Sequence, residues 1–154
     1  MPQSEEEIKQ NEAALDKFKM SFFDLHGKVA IITGGNTGLG QGYAVALAEA
    51  GADIFIPTRG KQGWEETQKM IEKRGRRVEF MQADLTQKGI ADKVIATALD
   101  LFGHIDILIN NAGMIRRNPL LESKDEDWDA VININLNAVY HLSLAAAKVF
   151  AKQG

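Results

Sequence analysis

The sequence predicts an α/β protein with a doubly wound parallel sheet, because four short apolar runs alternate with longer amphipathic stretches. The runs are rich in β-branched and large apolar residues, which is typical of strands buried on both faces; they lie at 29–32, 53–57, 78–81 and 105–109. The stretches between them carry apolar residues at helical spacing and are followed by glycines. We expect three layers, α/β/α, with right-handed crossovers.

A glycine-rich turn follows the first apolar run. Gly34, Gly38 and Gly40 stand at G-x-x-x-G-x-G spacing, and good helix formers occupy 41–50. A strand, a glycine turn and a helix N-terminus together form an anion site, because the first helical amides are unpaired and glycines let a diphosphate approach. The pattern predicts a Rossmann-type dinucleotide site, although glycines at this spacing also occur in ordinary tight turns.

The ends of the second and third runs would lie at the ligand-binding edge of such a sheet. Arg59 stands at the end of the second run, where an acid would accept the ribose hydroxyl of NAD and repel a 2′-phosphate. Arg59 could pair with that phosphate or remain solvated, so both NAD and NADP stay open. Asp84 follows the third run and could accept a hydrogen bond from adenine, cap the next helix, or do both.

The fourth run ends in two asparagines, an alanine and a glycine at 110–113. Asparagine side chains satisfy stray backbone groups where regular pairing stops, and the small Ala112 and Gly113 leave room for a flat ligand. The loop that follows carries Arg116 and Arg117 at the same edge of the predicted sheet.

A long helical stretch is predicted after this loop. Ser123 and Glu126 match a capping box at its start, and apolar residues continue at helical spacing to Val149. Within it Asn133, Asn135 and Asn137 are poor helix-interior residues. Three of them in an apolar helix indicate that their polar side chains have a local role, such as kinking the helix or holding a water molecule.

The composition excludes several classes of function. Without cysteine, disulfides, thiolate metal sites and cysteine nucleophiles are excluded, and the three histidines lack metal-ligand spacing. The net charge of −3 gives no reason to expect nucleic acid or an anionic membrane as a partner. The N-terminus is acidic, unlike a secretory signal, and no apolar run approaches about 20 residues. We expect a cytoplasmic protein without a metal or a membrane span.

Two segments are expected along the chain. Residues 1–24 predict an N-terminal helical extension, which could dock or form an oligomer contact, or lie against its own domain. Its signals are a capping box at Ser4–Glu7 and an apolar stripe at Ile8, Leu15, Phe18 and Phe22. Residues 25–154 form the predicted dinucleotide-binding part, and Phe22, Phe23 and Leu25 would cover the start of its first strand.

Together, Thr33–Gly40, Asp84 and Asn110–Gly113 resemble the classical short-chain dehydrogenase/reductase family, from about residue 25 to the last. Residues 37–42, 103–106 and 115–117 are most similar to its sugar-acid members, the 2-deoxy-D-gluconate 3-dehydrogenase and gluconate 5-dehydrogenase group. The resemblance implies hydride transfer between NAD or NADP and the CH–OH group of a sugar acid. It also implies a homo-oligomer, either a dimer or a tetramer.

The resemblance assigns site residues by position. The diphosphate and its ribose would be lined by Gly34, Asn36, Thr37, Gly38, Leu39 and Gly40, the adenine by Asp84 and Leu85, and the nicotinamide-side ribose by Asn111, Ala112 and Gly113. Asn135 matches the helical asparagine that the family uses in its catalytic proton-relay water chain. Arg116 or Arg117 could hold a substrate carboxylate, or both could be surface arginines.

The family's Tyr-x-x-x-Lys pair is not matched. Tyr43 is followed four residues later by Leu47, and Tyr140 by Leu144. The sheet would end after the fourth strand and its following helix, which would leave an open strand edge and exposed apolar helix surface. We therefore expect a truncated, cofactor-binding part that is inactive by itself. A non-catalytic nucleotide-binding protein is the alternative.

Overall fold

The computed structural model describes residues 20–154 as a parallel four-stranded sheet with helices on both faces. The strands are β1 (Val29–Ile32), β2 (Asp53–Thr58), β3 (Val78–Gln82) and β4 (Ile107–Ile109), in the order β3-β2-β1-β4. The helices are α1 (Gly38–Glu49), α2 (Trp64–Glu72), α3 (Ile90–Phe102), α4 (Asp125–Ile132) and α5 (Ala138–Gln153). The predicted doubly wound α/β fold is confirmed.

The sheet separates two apolar cores, and β1 contributes to both. Val29 and Ile31 join the core beneath α3 and α5, whereas Ala30 and Ile32 join the core beneath α1 and α2. All four side chains are at most 2% exposed. Because successive strand residues point to opposite faces, a strand covered on both sides must be apolar throughout. This explains the unbroken apolar run from which β1 was predicted.

β4 is less buried than the sequence predicts. Ile107, Leu108 and Ile109 are only half-buried, and the fully buried Ile105 lies just before the strand. β4 pairs with β1 on one side and is an outer strand of the sheet, so its other side has no strand neighbour within residues 20–154. The predicted open edge is therefore confirmed, and it accounts for the exposure.

The predicted capping box at Ser123–Glu126 is wrong. Lys124 occupies the N-cap position of α4, and the Ser123 hydroxyl donates to the carbonyl of Pro119 at 3.4 Å instead. Ser123 does not cap the helix because it closes the 3₁₀ turn Leu120–Glu122 that precedes the helix. Three acidic residues in the first turn of α4 still face the positive end of its dipole.

The three asparagines mark a departure from the α-helix. Asn133–Asn137 form a π turn between α4 and α5, and the amide of Asn137 donates to the side-chain oxygen of Asn133 at 2.9 Å. Such turns widen the helix and occur mostly at functional positions. The three asparagines therefore lie in an irregular turn of the helix, and the kink or water site stays a prediction.

The helical stretch Asp125–Gln153 is also long and apolar enough to cross a membrane by length and composition. It has 29 residues and a mean hydropathy of 1.2 over an 18-residue window, of which 22% is buried. The expectation that no such stretch exists is wrong on this measure. Leu142 and Ala146, at 2% and 1% exposure, nevertheless pack into the core beneath α3 and α5. Part of the apolar composition thus serves packing within the domain.

The structure describes only the last residues of the predicted N-terminal extension. Residues 1–19, including the Ser4–Glu7 capping box, lie outside the described residues. Met20–Phe23 form a 3₁₀ turn in which Phe22 and Phe23 are 69% and 57% exposed, so the prediction that they cover β1 is wrong. Leu25 covers this end of the domain instead, because its N–H donates to Ala50 and its side chain packs against the core beneath α1 and α2.

Asp106 joins the amino ends of β1 and β4. Its carboxylate accepts hydrogen bonds from the Lys28 ammonium and the buried Val29 N–H, both at 2.9 Å. Burial raises the pKa of Asp106, but the hydrogen bonds and the charges of Lys28 and His104 outweigh it and hold the pKa below its usual value. The ionised carboxylate is therefore part of the fold.

We predict that Asp106→Ala lowers the free energy of unfolding by about 1–3 kcal/mol, because the buried Val29 N–H loses its acceptor. The native pKa is lowered, so this stabilisation is fully present above about pH 5 and is lost as the pH falls through that pKa. Urea unfolding at neutral and acidic pH measures both effects, with Asp129→Ala on the exposed face of α4 as control. Equal losses for the two variants would contradict the assignment.

Candidate functional site

A cleft of about 740 Å³ opens at the carboxyl ends of the strands. Its walls come from the glycine turn after β1, the segments after β2 and β3, the turn after β4, and the π turn. Open parallel sheets bind their ligands at this edge. The ligand lies where the connections that follow two neighbouring strands run to opposite faces of the sheet. The volume lies in the range of small-molecule and cofactor sites.

The glycine turn presents the start of α1 to the cleft. Gly34 and Gly38 adopt positive φ angles of 63° and 56°, which side-chain-bearing residues rarely reach. Thr37 is extended at the N-cap, and within the described residues its side chain does not cap the helix. The first turn of α1 is uncharged, and Thr37, Leu39 and Gly40 line the cleft. The unpaired amides of a helix's first turn carry the positive end of its dipole. This arrangement is suited to an anionic group.

Gly40 allows α1 to pack closely on the turn. A Cβ at this position would lie 2.3 Å from the Gly34 carbonyl oxygen and 2.5 Å from the side-chain nitrogen of Asn111. Only a residue without a side chain fits there. Close packing therefore explains the glycine at position 40, and positive φ angles explain the glycines at positions 34 and 38.

Thr33 and Asn111 lock the ends of β1 and β4 together. The buried Thr33 hydroxyl accepts hydrogen bonds from the N–H groups of Asn111 and Ala112, both at 2.9 Å. In return, the Asn111 amide donates to the carbonyls of Thr33 and Gly34 at 3.0 and 3.3 Å. The glycine turn and the 110–113 turn thus form one rigid wall. Sequence reasoning missed this role of Thr33.

The Asn36 side chain holds the loop after β2. It is 6% exposed and donates to the Gln62 carbonyl at 2.6 Å. A Cβ on Gly63 would lie 2.3 Å from the Asn36 carbonyl oxygen, so the loop packs closely on the glycine turn. Asn36 lines the cleft as predicted, but its amide is committed to the protein.

Asp84 lines the cleft but does not cap a helix. Its Oδ1 accepts from the hydroxyl and the N–H of Thr86 at 2.7 and 3.0 Å, and Gly89 takes the N-cap position of α3. The helix-capping alternative is therefore wrong, because Asp84 closes a local turn. The Thr86 side-chain and backbone hydrogen bonds, with the Arg59 charge, lower the pKa of Asp84. Among residues 20–154 the recorded bonds of this carboxylate use Oδ1, which leaves Oδ2 for a ligand.

Asn135 holds the segment after the 110–113 turn. Its side-chain oxygen accepts from the Met114 N–H and its amide donates to the Met114 carbonyl, both at 2.9 Å. A Cβ on Gly113 would lie 2.9 Å from the Asn135 oxygen. Asn135 therefore positions the loop beside the cleft, and its catalytic role stays a prediction.

The two arginines of the following loop differ in position. Arg116 lines the cleft, and its Nε lies 3.7 Å from Oδ1 of Asp127 on α4. Asn118 donates to the other oxygen of Asp127 at 2.8 Å, so one carboxylate holds two points of the loop. Arg117 is exposed and outside the cleft lining.

The structure brings most of the predicted site residues into one cleft, namely Gly34, Asn36, Thr37, Leu39, Gly40, Arg59, Asp84, Leu85, Asn111, Ala112, Gly113 and Arg116. Gly38, Arg117 and Asn135 are outside its lining. The cleft is also lined by residues that were not among the predicted site residues, namely Thr58, Gly60, Gln62, Ala83, Thr86, Met114, Ala130, Asn133 and Ile134. The Asp-x-Thr pattern at 84–86 is a turn signal that could have indicated Thr86. Among the described residues, no group of three or more histidines and acids could hold a metal ion.

We predict that Gly40→Ala destabilises the fold by about 1–3 kcal/mol or more, because the methyl group would overlap a backbone oxygen. Gly42→Ala is the matched control, since nothing lies within 4 Å of its added Cβ on the exposed side of α1. That variant should gain up to about 1 kcal/mol from better helix propensity. Thermal unfolding compares the pair, and equal stability of the two variants would contradict the packing argument.

The chain is similar to known proteins in sequence and in fold. Residues 28–154 match the family model of the short chain dehydrogenases. An uncharacterized oxidoreductase of Escherichia coli (strain K12) is 50% identical over 140 residues, covering 91% of this chain and 53% of that protein. The 2-dehydro-3-deoxy-D-gluconate 5-dehydrogenase of the same organism is 46% identical over 140 residues, covering 88% of this chain and 53% of the relative.

Solved structures agree with these sequence matches. A short-chain type dehydrogenase/reductase from Mycobacterium marinum superposes with a TM-score of 0.83 at 30% identity, covering 87% of this chain and 54% of that chain. NAD⁺-bound xylitol dehydrogenase superposes with a TM-score of 0.79 at 25% identity, covering 84% of this chain and 50% of the other. The chain thus spans about half the length of the curated relatives it matches. It belongs to the short-chain dehydrogenase family, whose sugar-acid members it resembles.

Proposed function

We propose that this chain binds NAD or NADP and forms the cofactor-binding part of an oxidoreductase acting on the CH–OH group of a sugar acid. The observation that carries the proposal is the single cleft in which the glycine turn, the start of α1 and the 110–113 turn meet. The positive φ angle of Gly34 and the close packing of Gly40 shape the turn that brings the start of α1 to the cleft. A glycine turn that leads into a helix N-terminus is the arrangement that holds a dinucleotide diphosphate. The donor set of this cleft therefore fits a dinucleotide.

Each part of the cleft has a role in this proposal. The amides at the start of α1 hold the diphosphate, and Oδ2 of Asp84 accepts a hydrogen bond from the adenine amino group. Ala112 and Gly113 border the nicotinamide-side ribose, since they are small and fixed by the Thr33–Asn111 hydrogen bonds. When bound, the nicotinamide supplies or accepts the hydride.

The sugar-acid substrate is proposed from two observations. The name of the Escherichia coli relative, 2-dehydro-3-deoxy-D-gluconate 5-dehydrogenase, gives a sugar acid as the compound on which that protein acts. In this chain Arg116 lines the cleft and can form paired hydrogen bonds with a carboxylate. Arg117 is the weaker candidate because it lies outside the cleft lining.

Binding without turnover is the expected behaviour of these 154 residues. Neither tyrosine is followed four residues later by a lysine, so the family's Tyr-x-x-x-Lys pair is not among them. The same observation favours the second candidate function, a non-catalytic nucleotide-binding protein. Hydride transfer by the purified chain, followed through the absorbance of reduced nicotinamide, would eliminate that second candidate.

Arg59 provides the test of cofactor binding and of phosphate preference. We predict that the chain binds a dinucleotide measurably by calorimetry, and that Arg59→Asp weakens NADP binding about tenfold more than NAD binding. The reason is that a carboxylate repels the 2′-phosphate, whereas it can accept a hydrogen bond from the hydroxyl of NAD.

Arg117→Asp is the matched control for Arg59→Asp, because it makes the same charge reversal outside the cleft lining. It should leave the ratio of the two affinities unchanged. A chain that binds neither cofactor would overturn the proposed function. Equal losses for NAD and NADP in Arg59→Asp would overturn only the role of Arg59.

We further propose that the protein is a homo-oligomer through the outer face of α4, the π turn and α5. Trp128, Leu136 and Tyr140 are 67%, 59% and 60% exposed along this stretch. Apolar surface of this kind marks interaction sites. Tyr140→Lys should shift the chain toward monomers in sedimentation velocity, whereas Lys152→Glu on the same helix should not. A wild-type chain that stays monomeric at every concentration would contradict this proposal.

A further inference from the structure

A buried threonine lies behind the glycine turn. Thr67 on α2 is 0% exposed, and its hydroxyl donates to the carbonyl oxygen of Asn36 at 3.0 Å. The same hydroxyl accepts a hydrogen bond from the side-chain amide of Gln41, on the first turns of α1, at 2.7 Å. The Thr67 hydroxyl therefore uses its donor and one acceptor position on two different segments of the site.

Asn36 extends this network to the loop after β2. Its side chain donates to the Gln62 carbonyl at 2.6 Å, while its own carbonyl is held by Thr67. The Thr67 hydroxyl thus contacts the glycine turn and the start of α1 directly, and the loop at 59–63 is joined to the same network through the Asn36 side chain. In a buried setting, loss of one member leaves its partners unsatisfied.

The glycine turn needs such support because of its composition. Four of the seven residues at 34–40 are glycines, and glycine loses more conformational freedom on ordering than any other residue. A turn that is already ordered before the ligand arrives avoids this cost at binding. A hydrogen bond that orders the turn beforehand therefore raises the affinity of the protein for its ligand without contacting the ligand.

We infer that Thr67 is a positioning residue for dinucleotide binding, which holds the glycine turn in its anion-binding shape through the Asn36 carbonyl. The inference rests on the proposed function. Its effect falls on ligands that carry a diphosphate, because these contact the turn. Adenosine alone depends on the Asp84 side of the cleft and is affected much less.

The test compares Thr67→Val, which removes the hydroxyl at nearly constant volume, with Thr67→Ser, which keeps it. We expect calorimetry to show NAD and ADP-ribose binding about tenfold weaker in Thr67→Val, and within about threefold of wild type in Thr67→Ser. Adenosine binding, measured by saturation-transfer NMR, should change less than twofold in both variants. Thr97→Val, on α3 away from the cleft, is the control and should bind like wild type.

The outcomes separate the two proposals. A wild-type chain that binds no dinucleotide overturns the proposed function, and the inference falls with it. A wild-type chain that binds, with Thr67→Val binding equally well or losing adenosine and NAD affinity to the same extent, overturns the inference alone. If Thr67→Val does not fold, Thr67→Ala decides, because it removes the same hydrogen bond to the Asn36 carbonyl without placing a methyl group at the position of the hydroxyl. Unchanged NAD affinity in that variant also overturns the inference.

Discussion

The site depends on the hydrogen bonds that join Thr33 to Asn111. They fasten the carboxyl end of β1 to the carboxyl end of β4, at the point where α1 leaves toward one face of the sheet and the later helices lie on the other. This divergence opens a crevice between adjacent strands. Because the bonded groups belong to the glycine turn and the 110–113 turn, the same contacts fix both walls of the cleft.

Much of this arrangement follows from local sequence. β1 and β2 are covered by helices on both faces, so their residues are apolar without alternation and the strands can be recognised directly. Gly34 and Gly38 indicate a turn with positive φ angles. The small residues at 112 and 113 indicate an edge of the sheet with room for a ligand. These features predict the sheet, its ligand-binding edge and most of the cleft residues, because their causes lie within a few residues of chain.

The features that sequence reasoning missed have causes of two kinds, competing local hydrogen bonds and contacts between distant parts of the chain. Ser123 has the right residue type for an N-cap but bonds to Pro119, and Asp84 bonds to Thr86 where a helix cap was an alternative. Thr67 contacts Asn36 across 31 positions, which no local pattern reveals. β4 looks like a buried strand in sequence, but its exposure depends on which strands lie beside it. Competing local and tertiary hydrogen bonds decide such cases.

The central claim is that a dinucleotide diphosphate binds at the amides of the glycine turn. The most direct test is NMR of the isotope-labelled chain titrated with NAD and with NADP, following each backbone amide. We predict the largest saturable shifts at 34–40 and 111–113, with smaller shifts at 84–86. Saturable shifts confined to residues outside the cleft would contradict the claim, as would the absence of any shift at saturating cofactor.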